Sequence, residues 1–169
     1  MIPLGPLNGK HSATTISPWI ITYDALEPFR VPGPERTKPV APHLREANDR
    51  ALSVNLEVMV SSKDKSETTC RSNSKMMAWS FEQMVAHQSS AGCGLRSGDL
   101  LGIGTVSEPE SGKRGCLLED NLPPPAVQRG FLNDGDVVSF TAVCDKGVGF
   151  GECHGQLLSA NDQQIWSSE

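Results

Sequence analysis

Leu52-Ser53-Val54-Asn55-Leu56-Glu57-Val58-Met59-Val60 decides the fold class. Apolar side chains stand at every second position, the period of a strand with one face buried and the other wet. The polar run Ser61 to Glu67 that follows reads as a turn. Beyond it, Ser74 to Ser89 carries the chain's principal helical pattern. Met77, Phe81, Met84, Val85 and Gln88 fall on one face, with Asn73 or Ser74 as N-cap and Gly92 just past the end. Such a Met- and aromatic-rich stripe is read as core packing.

Further along, the pattern changes to turns followed by strands. Arg96-Ser97-Gly98-Asp99 precedes the apolar Leu100-Leu101-Gly102-Ile103, and Asn133-Asp134-Gly135-Asp136 precedes Val137 to Val143. A glycine-rich stretch, Gly147 to Gly151, leads to a last strand at Gln156-Leu157-Leu158, and the polar tail from Asn161 is expected to fray. Before the deciding segment, Pro28 to Pro42 holds five prolines in fifteen residues and predicts an extended connection without helix. Thr14 to Tyr23 is β-branched and aromatic, interrupted by Pro18, and predicts two short strand pieces with a bend between them.

Composition agrees with a β-rich domain. The 169 residues suffice for one core, and sixteen glycines with twelve prolines favour turn-linked strands over a helical bundle. A net charge of −5 gives no electrostatic reason for nucleic acid or acidic membranes to bind. No apolar run reaches the ~20 residues of a spanning helix, and Met1-Ile2-Pro3-Leu4-Gly5-Pro6 lacks the marks of a signal peptide. Cys70, Cys93, Cys116, Cys144 and Cys153 are scattered without a C-x-x-C pair, as expected of reduced thiols in a cytoplasmic protein. A zinc site at Cys153 and His154 has no supporting spacing.

Several segments then share their order and spelling with a known family. They are Pro3-Leu4-Gly5-Pro6, Gly9-Lys10, Thr14 to Trp19, Asp24-Ala25-Leu26-x-Pro28-Phe29, Leu52 to Leu56, Cys70-x-Ser72-Asn73 and Met77-x-Trp79. Leu95-Arg96-x-Gly98-Asp99-Leu100-Leu101, Gly104-Thr105-x-Ser107-x-Pro109-Glu110, Leu118-Glu119, Leu132-x-Asp134-Gly135-Asp136 and Gly149-Phe150-Gly151-x-Cys153-x-Gly155 continue the series. Collinear over residues 3 to about 159, the chain resembles the C-terminal part of the catalytic domain of the fumarylacetoacetase (fumarylacetoacetate hydrolase) family.

The resemblance implies an α+β, mainly β fold: a mixed β-roll or sandwich, truncated at its N-terminal side, with one principal helix at about 74–89. Residues 1–160 would form a partial catalytic domain and 161–169 a polar tail. It also implies hydrolysis of 4-fumarylacetoacetate to fumarate and acetoacetate in tyrosine and phenylalanine breakdown. The family expectation adds magnesium and calcium as cofactors, a small diketo acid substrate, a homodimer, and a cytoplasmic setting. The main carboxylate ligands of the metal, and the histidine that activates water, are expected upstream of this chain, leaving it weakly active or inactive alone. A non-catalytic interaction fragment, or an acylpyruvase-type member of the superfamily, are the alternatives.

Four residues carry the site by resemblance. Glu119 matches the catalytic glutamate that partners the histidine; its bare reading is a strand-end carboxylate facing water. Thr105, fourteen residues earlier, matches a substrate-contacting threonine, whose bare reading is an ST-turn. Lys10 and Thr14 match positions at the metal, and Lys10 would act through water, through its carbonyl, or on the substrate oxyanion, because an ammonium does not ligate a cation. Neither His11 nor His87 matches the catalytic histidine. Glu108-Pro109-Glu110 is the chain's Glu-x-Glu, but it belongs to a different part of the family pattern.

Overall fold

A computed structural model describes residues 13–46, 50–120 and 130–160, without the side chains of Arg50 and Asp120. Its strands are β1 (Arg30–Pro32), β2 (Arg50–Leu52), β3 (Val54–Ser62), β4 (Lys65–Asn73), β5 (Val137–Cys144) and β6 (Cys153–Gln156). Its α-helices are α1 (Tyr23–Leu26), α2 (Phe81–Ser90) and α3 (Leu117–Asp120). β1 and β2 form a two-stranded sheet, and the other four form a sheet in the order β4-β3-β5-β6, every ladder antiparallel. The fold is α+β and mainly β, as the sequence predicts.

The alternation over 52–60 is real, but the segment is two strands rather than one. Ser53 breaks it: β2 pairs with β1, while β3 pairs with β4 and β5. Ser74 plugs the break. Its buried hydroxyl donates to the Leu52 carbonyl and accepts from the Val54 amide at 3.1 Å. Two backbone groups that a change of sheet would leave unpaired are thereby satisfied. The expected turn at 61–67 shrinks to Lys63-Asp64, because Ser62 already pairs with Lys65 across the hairpin. A bulge interrupts this hairpin at Val58/Met59. Thr69 is its extra residue, and the Thr69 hydroxyl donates to the Val58 carbonyl at 3.1 Å.

Register assigns the sheet faces. Leu56, Val58 and Val60 stand opposite Ala142, Phe140 and Val138, and Cys70, Cys153 and Gly155 lie in the same rows. One face is therefore apolar, while Glu57, Arg71 and Thr141 occupy the other. The tightest core lies where β3 begins and β5 ends. Leu26, Phe29, Leu52, Val54 and Cys144 form the cluster, with Ile21, Leu56, Phe81, Ala142, Val148 and Phe150 packed around it.

The principal helix starts later than the sequence suggests. Asn73 does cap a turn, accepting from the Lys75 amide at 2.9 Å, but that turn is a single 3₁₀ piece over Ser74–Met76. The α-helix proper starts at Phe81 behind the Ser80/Gln83 capping box, in which each side chain bonds the other's backbone amide. The expected core stripe shifts with it. Phe81 and Met84 are half-buried, Val85 and Gln88 are exposed, and the buried residue is Gln83. Gln83 also accepts from Arg36 (2.7 Å) and donates to the Leu44 carbonyl (2.6 Å), tying the proline-rich connection to the helix. Arg30 makes a second tie, pairing with Glu27 and with Glu82 at 2.9 Å beneath the Tyr23 ring. Burial and the Glu82 carboxylate push the Tyr23 hydroxyl up to about 12.

Other expectations are corrected. The Pro28–Pro42 connection is not free of regular structure. Short 3₁₀ turns occupy Glu27–Phe29 and Pro42–Leu44, each with proline in its first turn, and β1 follows the first. No strand forms over 14–23. Ser17 sends its hydroxyl to the Phe150 carbonyl (2.8 Å) and accepts from the Trp19 amide (3.2 Å), so a side chain replaces the ladder that Pro18 prevents. Leu100 to Ile103 pairs with no described strand and lies exposed. The last strand comes earlier than 156–158, at β6, although the Leu157 amide still reaches the Asp136 carbonyl at 2.9 Å. The tail from residue 161 and Lys10 lie outside the described residues.

The two Gly-Asp turns are as expected and share one construction. Asp99 accepts from the Arg96 amide at 2.8 Å, and Asp136 from the Asn133 amide at 2.9 Å. Each aspartate's own amide returns a bond to the carbonyl of that first residue, at 3.1 Å in both turns. The glycine between them takes a left-handed φ of +96° or +92°.

Candidate active-site loop

Residues 104–119 lie along β4, the edge strand of the larger sheet. The Arg71 amide donates to the Gly112 carbonyl (2.9 Å), the Asn73 amide to Glu108 Oε1 (3.0 Å), and the Ser72 hydroxyl to the Val106 carbonyl (3.3 Å). Amides that an open edge would expose are thus covered. The loop also folds back on itself, with Glu108 N–H bonded to the Lys113 carbonyl at 2.9 Å. Lys113 pairs with Glu110 (3.0 Å) and Glu108 (3.1 Å), and these two carboxylates raise its affinity for its proton, Glu110 first.

Thr105 and Glu119 meet through Gly115. The Gly115 amide donates to Ser107 Oγ at 3.0 Å, and Ser107 Oγ donates to Glu119 Oε2 at 2.7 Å. Arg114 Nη1 holds the Glu119 carbonyl at 2.7 Å. A Cβ on Gly115 would lie 2.5 Å from the Val106 carbonyl oxygen and 3.1 Å from Thr105 Cγ2, so only glycine permits this crossing. Glu119 is half-buried and sits on the helical turn α3, its amide bonded to the Cys116 carbonyl at 3.0 Å. The expected strand end is absent there. Thr105 follows Gly104, whose φ is +77°, and its side chain is exposed rather than closing a turn on itself.

Thr105 borders space over the apolar sheet face, while Glu119 lies behind it, at the far end of the Gly115–Ser107 contacts. A cavity of about 320 Å³ is lined by Thr105, Gly115, Val58, Phe140 and Cys153. A second, of about 470 Å³, adjoins it through Val58, Cys70, Gly115 and Phe140, and is lined further by Ala13, Thr15 and Arg114. Thr14 is exposed between Ala13 and Thr15 and lines neither cavity. An apolar cavity with a few convergent polar groups is the usual form of a small-molecule site.

The donors present do not fit a calcium or magnesium cage. Such cages take six or more oxygens, mostly carboxylate and carbonyl. Among the described residues no three His, Cys, Asp or Glu side chains converge. Glu108 and Glu110 already face Lys113, and Thr14 offers one hydroxyl. Among the described residues no histidine bonds to Glu119. His87 lines a separate cavity of about 480 Å³ with Trp79, Met84 and Ile103, while His154 faces Glu152 at 3.3 Å. None of the five cysteines is in a disulfide. Among the described residues no helix is long and apolar enough to cross a membrane.

Reading by residue type missed Ser107, Arg114 and Gly115. Ser107 stood in the Gly104-Thr105-x-Ser107 string, but a lone serine gives no signal of what it will bond.

Residues 1–157 match the model of the family described as fumarylacetoacetate (FAA) hydrolase C-terminal. The chain is 45% identical over 169 residues to the fumarylacetoacetase of Arabidopsis thaliana, covering 93% of this chain and 40% of that protein. Identity to the fumarylacetoacetase of Oryza sativa subsp. japonica is 43% over 171 residues, covering 94% and 40%. For the fumarylacetoacetase of Homo sapiens it is 40% over 171 residues, covering 94% and 41%. The chain therefore spans about 40% of the length of the curated relatives it matches. The match to the family model over nearly all of its length and the relatives' collinear identity make this chain a member of the fumarylacetoacetate hydrolase family, in its C-terminal region.

Proposed function

We propose that this chain contributes the glutamate and threonine of a fumarylacetoacetase site, for hydrolysis of 4-fumarylacetoacetate to fumarate and acetoacetate. In that reaction water adds to the fumaroyl ketone carbon and the neighbouring carbon–carbon bond breaks. Its electron pair leaves on the acetoacetate carbon and is quenched by a proton. The observation that carries the reading is the state of Glu119. One carboxylate oxygen is held by Ser107, while Oε1 has no partner among the described residues, on the loop that also carries Thr105 to the cavity.

An open carboxylate oxygen accepts an imidazole N–H, orients the ring and stabilises it as it takes the proton of water. That histidine is supplied by a part of the family's sequence other than the residues described. The Thr105 hydroxyl donates to a substrate oxygen before chemistry begins. Lys10 stabilises the oxyanion on resemblance alone. Calcium and magnesium are expected to bind this chain only in the millimolar range, if at all. Calorimetric titration checks this, and micromolar binding would mean a cage built from other residues.

The test joins the chain to the upstream part of the Arabidopsis relative and follows loss of the diketone absorbance. Turnover is expected from the joined protein, and little or none from the chain alone. Glu119→Gln then lowers kcat by up to ~10⁴-fold with little change in KM, because the charge acts as the proton moves. Thr105→Val raises KM instead. A Glu119→Gln kcat within about threefold of wild type leaves Glu119 an ordinary surface carboxylate and sinks the reading.

A second reading, a non-catalytic interaction fragment, draws on the exposure of Trp19, Ile20, Phe131 and Leu158. Absence of turnover in the joined protein would favour it.

A further inference from the structure

We propose that Ser107 is the positioning residue of Glu119, fixing which carboxylate oxygen faces the reaction. The proposal rests on the functional reading above and adds a residue to it. A serine hydroxyl has one hydrogen and two acceptor sites, and usually rotates among partners. Here the rotor is set. The Gly115 amide can only donate, and it occupies an acceptor site of Ser107 Oγ at 3.0 Å. Glu119 Oε2 can only accept while ionised, so the serine hydrogen points to it, at 2.7 Å. A hydroxyl bound to a carboxylate at this distance is a charge-assisted bond, roughly twice as strong as a neutral one.

The backbone of the same glutamate is held independently, by Arg114 at its carbonyl and by Cys116 at its amide. Main chain and side chain are therefore both fixed, and Oε1 is the oxygen left to face outward. The chain of contacts also links the two matched residues. Gly115 approaches Val106 and Thr105 too closely to carry a side chain, and it is this approach that delivers its amide to Ser107. Without the serine hydroxyl, Glu119 keeps its place on α3 but its carboxylate turns freely. An imidazole partner is then misaligned mainly in the transition state, so kcat falls and KM does not.

The first readout needs no turnover. In the full chain, the side-chain carboxyl carbon of Glu119 is observed by ¹³C NMR in H₂O and in D₂O. A shift transmitted from the exchanging serine hydroxyl is expected in wild type, lost in Ser107→Ala and kept in Ser107→Thr. Should Ser107→Ala fail to fold, Glu119→Ala reads the same bond from the other end, by speeding exchange of the Ser107 hydroxyl proton. An isotope shift that survives in Ser107→Ala, or a hydroxyl exchange rate unchanged by Glu119→Ala, overturns the proposal. The second readout is kinetic, in the joined protein. Ser107→Ala lowers kcat by about 10–100-fold at constant KM, Ser107→Thr restores most of it, and Ser107→Ala adds nothing in a Glu119→Gln background. Additive losses there would make Ser107 a mere loop tie and overturn the positioning role. A flat Glu119→Gln result sinks the functional reading, while the isotope shift still decides whether Ser107 holds the carboxylate.

Discussion

Where β3 begins the chain is held by burial, and along residues 104–119 it is held by hydrogen bonds. Leu52, Val54 and Cys144 retain 3%, 6% and 1% of their exposure, whereas Leu100 and Leu101, just before the loop, retain 74% and 46%. In the loop the polar groups provide the order, through Ser72, Asn73, Ser107, Arg114 and Glu119. The two kinds of order fail differently. Apolar packing loses stability with volume and concerns the whole domain. A lattice of directional bonds loses geometry, and the loss stays local.

The largest expected effect is therefore in the core. Leu52→Ala should lower unfolding free energy by about 2–5 kcal/mol, read from urea titration of the purified chain. Gly115→Ala should come second, at about 1–3 kcal/mol, because the Val106 carbonyl must yield to the new methyl. Its signature is local. Amide resonances of residues 105–119 should shift while those of β3 and β5 stay in place. A Gly115→Ala spectrum disturbed equally in the sheet would break the distinction between the two regions.

That distinction also explains what the sequence made legible. Period-two alternation over 52–60 announces a strand because burial on one face writes itself into every second residue. The Gly-Asp turns at 96–99 and 133–136 are legible because a left-handed glycine and an aspartate that bonds back are local chemistry. The break at Ser53 is not, since the hydroxyl that repairs it belongs to Ser74, more than a full strand away. The helix start was visible in the Ser80-x-x-Gln83 spelling, but Asn73 and Ser74 offered an earlier cap, and Asn73 does cap the 3₁₀ turn there. At the site, Glu119 and Thr105 are placed by resemblance alone. Ser107 and Gly115 bring them together across a gap of several residues, and no periodicity records such a pairing.

Acid titration sharpens the comparison at a third place, where hydrogen bonds support the sheet rather than the loop. The Asn133 amide, and after it the Ser62 hydroxyl, hold the Asp136 carboxyl below the usual carboxylate range. Arg71 first, then Thr68, do the same for Glu57 on the polar face. A carboxyl depressed in the folded state contributes stability that is complete above its unfolded pKa of about 3.9–4.3. As pH falls through the lower folded value, the unfolded chain has already taken up the proton and that stability is lost. The urea midpoint should therefore fall with pH below about 4, and Asp136→Asn should flatten the slope only in part, because Glu57 and Glu82 are also held below the usual range. A slope unchanged by Asp136→Asn would mean that the turn does not depend on its charge.

The smallest expected effect is the most diagnostic of where burial ends. Leu100-Leu101-Gly102-Ile103 reads as a strand by composition, yet it lies exposed beside no described partner strand. An apolar side chain contributes to folding only through the area it removes from water, about 25 cal/mol per Å². Leu100, at 74% exposure, removes little. Leu100→Ser should therefore change the stability of the isolated chain by no more than about 0.5 kcal/mol, although the same change at Leu52 would be severe. The urea midpoints of the two variants measure the contrast directly. A loss above about 1 kcal/mol at Leu100 would mean that this leucine is covered in solution and that the apolar run is packed as the sequence pattern suggests. The same substitution in the protein joined to the upstream part of the Arabidopsis relative separates the two sources of cover. A cost that appears only there assigns the partner of this segment to the joined sequence, and not to the chain's own core.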